Sequence, residues 1–167
     1  MSTTSIVPHI LDESRAAFIL GPVSINVASC NANLVPSVAR AYGCRVVLAQ
    51  QKVTVFLAVA RSRALLQDLR SGGAIAITFS RPKTHQTMQL KGRNAEVTPL
   101  RPNDRDVISA HSEAFCDEIC ALGYPDHFAQ AMRLSAVEDV LSVSFIPTEA
   151  FEQSPGTAAG LRLEAVT

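Results

Sequence analysis

The stretch Arg45 to Ser80, "RVVLAQQKVTVFLAVARSRALLQDLRSGGAIAITFS", decides the fold. Two apolar, β-branched runs flank "QQK", so Arg45 to Ala49 and Val53 to Ala60 read as a hairpin. The period then changes. Leu65, Leu66 and Leu69 recur at helical spacing, Ser62 stands where an N-cap belongs, and Gly72 stands where a helix stops. "AIAITFS" follows as a continuous apolar run between Gly73 and Pro82, short enough for a buried strand. Hairpin, short helix and strand in close succession point to a strand-rich fold.

The flanks agree. Upstream, "VSINVAS" alternates Val23, Ile25 and Val27 with Ser24, Asn26 and Ala28, the period of a half-buried strand, and Asn31 and Asn33 supply turn chemistry after it. "VPSVARAYGCRVVLA" is a long strand with a bend or bulge expected at Gly43. Before both, "ILDESRAA" follows Pro8 and gives a short helix from Ile10 to Ala17. Downstream, "TMQLKGRNAEVTPL" is an extended pair bent at Gly92. Asn103 opens a helix whose apolar stripe is Val107, Ile108, Phe115, Ile119 and Leu122, and a second helical piece covers Pro125 to Arg133. "VLSVSFIP" is a final strand, and residues 148–167, rich in Gly, Ala and Ser, are expected to run over the surface. Six or seven strands with few helices make the fold class mainly β: a small antiparallel barrel flanked by helices, in a single domain spanning 1–167.

Composition narrows the function classes. With 15 basic and 15 acidic side chains the formal charge is zero, so no overall field favours nucleic acid or an anionic membrane surface. No basic segment leads into an apolar run at the start, and no run approaches the roughly 20 apolar residues of a membrane helix, so the expectation is a cytoplasmic protein. Four cysteines in a chain that is 47% hydrophobic read as reduced thiols rather than as a disulfide scaffold.

Three places could carry chemistry. Arg61, Ser62 and Arg63 sit where a strand becomes a helix, and two guanidiniums with a hydroxyl beside free helical N–H groups would cradle a phosphate. The competing reading is a solvated cap whose arginine stems lie over apolar neighbours. In "TFSRPKTHQTMQLKG", Thr78 to Gly92, Thr87 and Gln89 share one strand face, where a hydroxyl and an amide can bond a planar heterocycle or simply meet water. In "HSEAFCDEIC", Cys116 and Cys120 share a helix face but His111 lies off it, which favours buried structural cysteines over a metal site. Neither a serine-nucleophile motif nor a Gly-rich nucleotide loop is present.

Strand, Asn turn, "PSVARAYG", hairpin, "ARSRALLQDLRSGGAIAITFSRP" and "QLKG", from about Phe18 to Val97, occur in an order that resembles the FMN-binding split-barrel family typified by pyridoxamine 5'-phosphate oxidase. The resemblance implies a homodimer of six-stranded antiparallel split barrels with FMN at the subunit interface. It maps the family's Ser-Arg-Lys phosphate motif onto Ser62, Arg63 and Ala64, so the lysine is missing, with Arg61 as a neighbouring charge. Arg40 takes the place of a strand arginine, and Thr87 that of a flavin-contacting glutamine, with Gln89 two residues on. It implies a flavin-dependent oxidoreductase acting on a small molecule, the flavin supplying the redox chemistry and no catalytic side chain being assigned. The alternatives are a non-catalytic binder of haem or flavin, with His85 or His111 as a haem ligand, and a dimer whose ancestral site is empty.

Overall fold

The computed structural model describes residues 9–135 and 138–166. Its elements in chain order are α1 (Glu13–Ile19), β1 (Ser24–Cys30), β2 (Pro36–Val47), β3 (Lys52–Ala58), α2 (Arg63–Arg70), β4 (Ile75–Ser80), β5 (Thr87–Gly92), β6 (Glu96–Pro99), α3 (Asp104–Ala121), α4 (Asp126–Ala131), β7 (Val140–Phe145), β8 (Pro147–Glu152) and β9 (Arg162–Leu163). The fold is mainly β with flanking helices. All strands join one antiparallel sheet in the order β6-β7-β3-β2-β1-β4-β5-β8-β9.

That order corrects the expected strand count. There are nine strands in an open ladder, not six, for two physical reasons. First, β7 and β8 are separated by Ile146 alone, yet β7 pairs with β3 and β8 with β5. One nearly continuous segment therefore touches both flanks of the unit β3-β2-β1-β4-β5, and the sheet must curl to let it. The curl is tight at Gly92, where an added Cβ would lie 2.8 Å from the Phe145 ring and 2.9 Å from the Ile146 carbonyl. Second, β6 and β9 are short edge strands, and β9 and most of β8 come from the tail that the sequence assigns to the surface.

Side chains on the concave face make the main core. Ile25 and Val27 of β1, Val55 and Leu57 of β3, Ile77 and Phe79 of β4, Leu90 of β5 and Val143 of β7 are completely buried there. Leu65, Leu66 and Leu69 of α2 and Ile19 of α1 fill the same interior, as their helical spacing requires. The bulge in β2, between Ala41 and Cys44, lies at Gly43, whose φ of +148° only glycine adopts freely. It keeps Ala39, Ala41 and Cys44 all facing inward.

The convex face is covered on one side only. α3 lies over β2, packing Ile108 with Tyr42, Phe56, Ala58 and Val140 in a second apolar cluster. Its first residue, Asp104, is fully buried and accepts from the Arg45 guanidinium and the Arg101 N–H. No helix among the described residues is long and apolar enough to cross a membrane.

Local starts and stops differ from the sequence pattern where caps decide them. α1 begins at Glu13 because the Asp12 carboxylate accepts the Arg15 N–H at 2.7 Å; Pro8 lies outside the described residues. β3 stops at Ala58, and residues 59–61 form a 3-10 turn. Ser62 then stands at the N-cap of α2 with φ −130° and ψ 19°, a backbone geometry from which its hydroxyl makes no cap bond.

Candidate functional site

Register on β1, β2, β4 and β5 builds one row of polar groups across the convex face. Arg40 pairs with Asn26, Asn26 with Thr78, and Thr78 with Gln89. Alternation puts all four on the side away from the core. Gln89 donates from Nε2 to Thr78 Oγ1 at 3.4 Å, which links the far end of the row. Adjacent strands are about 4.8 Å apart, so Arg40 and Gln89 stand roughly 14 Å from each other. Asn26 and Thr78, which sequence reasoning did not single out, complete the row; the alternation of "VSINVAS" and "AIAITFS" was the signal, but only the register aligns them.

Thr87 lies one alternation beyond Gln89. Its hydroxyl donates to the His85 carbonyl (3.1 Å) and lies 3.0 Å from Ser80 Oγ, from which it can accept, and its N–H donates to Ser154 Oγ at 2.9 Å. The loop before it is anchored on α3: Glu118, only 8% exposed, accepts from the Arg81 guanidinium and the Lys83 N–H. The polar crowd of residues 81–86 thus divides between a helix anchor and an exposed tip at Lys83–Gln86.

At the other end of the row the cations are held in three different ways. Arg40 lies beneath Phe115 of α3, its guanidinium carbon 4.8 Å from the ring centroid, and burial pulls its pKa below the ordinary arginine value. Its Nε is buried with no hydrogen-bond partner. Arg61 reaches back from the turn after β3: Nε and Nη2 donate to Glu138 Oε1 at 3.0 and 2.6 Å, and Nη1 donates to the Tyr42 hydroxyl at 3.1 Å. These bonds raise the Arg61 pKa, the Glu138 bond first. Arg63, exposed in the first turn of α2, has no ion-pair partner among the described residues. Between the two, Ser62 is 2% exposed and its hydroxyl is unpartnered.

The structure therefore brings Arg61 to Tyr42 on β2, two residues from Arg40, leaves Arg63 at the start of α2, whose leucines enter the concave core, and sets Thr87 and Gln89 across the sheet. Tyr42 and Glu138 were not legible as members of this group, since Glu138 lies 77 residues from Arg61. His111 faces Arg40 from α3, in a small space lined also by Tyr42, Phe115 and Cys116. Burial first, and then Arg40, pushes its pKa down to about 4, so the imidazole is neutral near pH 7. His85 is exposed, in the left-handed region at φ 59°. All four cysteines are free, and among the described residues no group of three His, Cys, Asp or Glu side chains could hold a metal ion.

No family model matches the chain, and no curated protein matches it. Solved structures do. A Lactobacillus delbrueckii protein assigned as a pyridoxamine 5'-phosphate oxidase superposes with a TM-score of 0.53 at 12% identity, over 90% of this chain and 99% of that one. HupZ of Group A Streptococcus gives 0.52 at 16% identity, over 90% and 100%. An F420 reductase gives 0.54 at 12% identity, over 84% and 98%. At such identities the likeness is one of fold: the chain has the pyridoxamine 5'-phosphate oxidase-like fold.

Proposed function

We propose that the chain is an FMN-binding protein that works as a homodimer, with the flavin lying along the Arg40–Asn26–Thr78–Gln89 row and its phosphate at the Ser62–Arg63 turn. The observation that carries this reading is that row: a polar strip whose Asn26–Thr78–Gln89 part is left uncovered and whose Arg40 end lies under Phe115, two residues along β2 from the Tyr42 that Arg61 contacts. The curled unit β3-β2-β1-β4-β5 with the kinked segment Val140–Glu152 supplies the six strands of a split barrel in this reading.

The residues present fit the group in chemical terms. Arg40 Nε and the Ser62 hydroxyl are both buried and unpartnered, the condition of polar groups that a ligand would satisfy. Arg63 offers a guanidinium not committed elsewhere, suited to a phosphate in two-pronged fashion. Arg61, by contrast, is occupied by Glu138, and Ala64 gives no charge. Gln89 and Thr87 are the ring-side donors and acceptors. When bound, FMN would supply the electron transfer of an oxidoreductase acting on a small molecule. The chain's own part is to orient the ring and hold its phosphate.

A second copy would complete the site. Val38, 71% exposed on β2, continues outward into Leu34 (80%) and Val35 (56%), an apolar edge beside the polar row. The alternative of an emptied site draws on Glu138, whose carboxylate already sits on Arg61 as an internal anion.

The decisive experiment is titration of the purified protein with FMN, followed by flavin absorption and fluorescence. Saturable binding is expected, weakened about tenfold or more in Arg63→Ala, which removes a charge-assisted contact, and strengthened in Glu138→Gln, which frees Arg61. Absence of FMN binding by the wild-type dimer, or affinity indifferent to Arg63→Ala, would refute the assignment.

A further inference from the structure

At the end of the sheet remote from the first turn of α2 lies an open cleft of about 590 Å³. This is within the range of small-molecule sites, roughly 300 to 1,000 Å³. Its floor is the next row of the convex face, where Ala28 pairs with Ala76, Ala76 with Lys91, and Lys91 with Glu149. The space exists because this floor is built of alanines, Ala74 included, where larger side chains would fill it. Close packing behind the floor fixes it in place. A Cβ on Gly73 would lie 2.5 Å from Ser29 Oγ and 2.8 Å from the Asp68 carbonyl, so the connection from α2 to β4 is pressed against the end of β1.

The rim carries two cations and one carboxylate. Lys91 and Arg93 both line the cleft. Lys91 has only the Phe151 ring beside its ammonium, at 4.6 Å, and Arg93 has no ion-pair partner among the described residues. The one carboxylate on the rim, Glu149, is engaged by Arg162 at 3.4 Å. Two cations without an ion-pair partner above an apolar floor select an anion with an apolar body, and the side-chain amide of Asn94 is at hand for its remaining oxygens.

We propose that this cleft is a second small-molecule site, one that takes an organic anion: a carboxylate or phosphate monoester head held by Lys91 and Arg93, with a compact apolar or planar body on Ala28, Ala74 and Ala76. α2, eight residues long, separates it from Arg63 by about 12 Å of helix, while its alanine floor adjoins the Asn26–Thr78–Gln89 row two residues along each strand. The flavin reading is not needed for it.

Isothermal titration of the wild-type chain with phenyl phosphate, benzoate and inorganic phosphate tests the proposal. Phenyl phosphate and benzoate are expected to bind and inorganic phosphate to bind more weakly, because it lacks a body for the alanine floor. Lys91→Met and Arg93→Gln are each expected to weaken phenyl phosphate about tenfold, with circular dichroism unchanged, since neither side chain is buried. Ala76→Leu, which fills the floor, should abolish binding. Three results would overturn the proposal: no binding of the organic anions at millimolar concentration, wild-type affinity retained in both Lys91→Met and Arg93→Gln, or a loss of binding in Arg63→Ala instead, which would assign the anion to the other end of the sheet.

Discussion

His111 shows how one residue's setting is fixed by neighbours far from it in sequence. It is enclosed by Phe115 on its own helix and by Arg40 and Tyr42 from β2, with the Cys116 thiol in the same small space. A charged imidazole there would be desolvated and would face a guanidinium. Its folded pKa is therefore below the unfolded value of 6.5, at about 4. The sign follows: the unfolded chain takes up the proton first, so the contribution is complete above pH 6.5 and is lost as pH falls toward 4. The loss is on the order of 3 kcal/mol across that window. Urea unfolding between pH 7.5 and 4.5 should show it, and His111→Gln should lose less stability over the same range; equal slopes in the two proteins would contradict the assignment. Little of this was readable in advance. "HSEAFC" announces a helix with a histidine, but nothing local says that an arginine on β2 will face it.

Among the elements, the stretches with an unbroken period were legible and the junctions were not. α2 and β4 follow from leucines at helical spacing and a short apolar run, both local signals. Ser62 and Asn103 have the right chemistry for caps, yet neither side chain makes a cap bond, because the chain arrives at Ser62 from a 3-10 turn and at Asn103 in the left-handed region. β8 escaped notice because "TEAFE" becomes a strand only by lying against β5, a non-local pairing that outweighs propensity. The "QQK" separator likewise holds more than a turn. Gln51, at φ 49°, is buried, and its amide accepts from the Leu11 N–H at 2.8 Å and donates to the Leu11 carbonyl at 2.9 Å. It joins the β2–β3 hairpin to the segment preceding α1. Gln51→Leu should cost about 2 to 3 kcal/mol by leaving that backbone unsatisfied. Hydrogen exchange should accelerate at the Leu11 amide well before it does in β3, and a uniform acceleration would argue against a local clamp.

For the whole molecule, the decisive asymmetry is that helix covers only one side of the convex face. The mainly β class and the single curled sheet were legible from strand spacing, whereas the strand count was not, since a kink at Ile146 divides one run into two partners for opposite flanks. The uncovered side carries Asn26, Thr78 and Gln89 of the polar row together with Val38, and on the proposed reading it is where two copies meet. Val38→Glu places a charge on that surface while leaving the interior untouched. Sedimentation velocity at micromolar concentration should show a dimer for the wild type and a monomer for the variant, with FMN binding lost in parallel. A wild-type monomer would remove the interfacial site.

The kinked segment from β7 to β8 also governs the order of events during folding. Val53 of β3 pairs with Phe145, and Met88 of β5 with Glu152, so the strand that satisfies both flanks is made after all five strands of the unit it joins. Until it emerges, β3 and β5 are bare edges with unmet backbone groups, open to pairing with another nascent chain. Long-range strand pairing of this kind is slow. Loss of the residues after Phe145 would therefore keep β7 on β3 but leave β5 bare, so the chain would collapse and then associate through that edge, and the expression yield of such a truncation would be limited by aggregation.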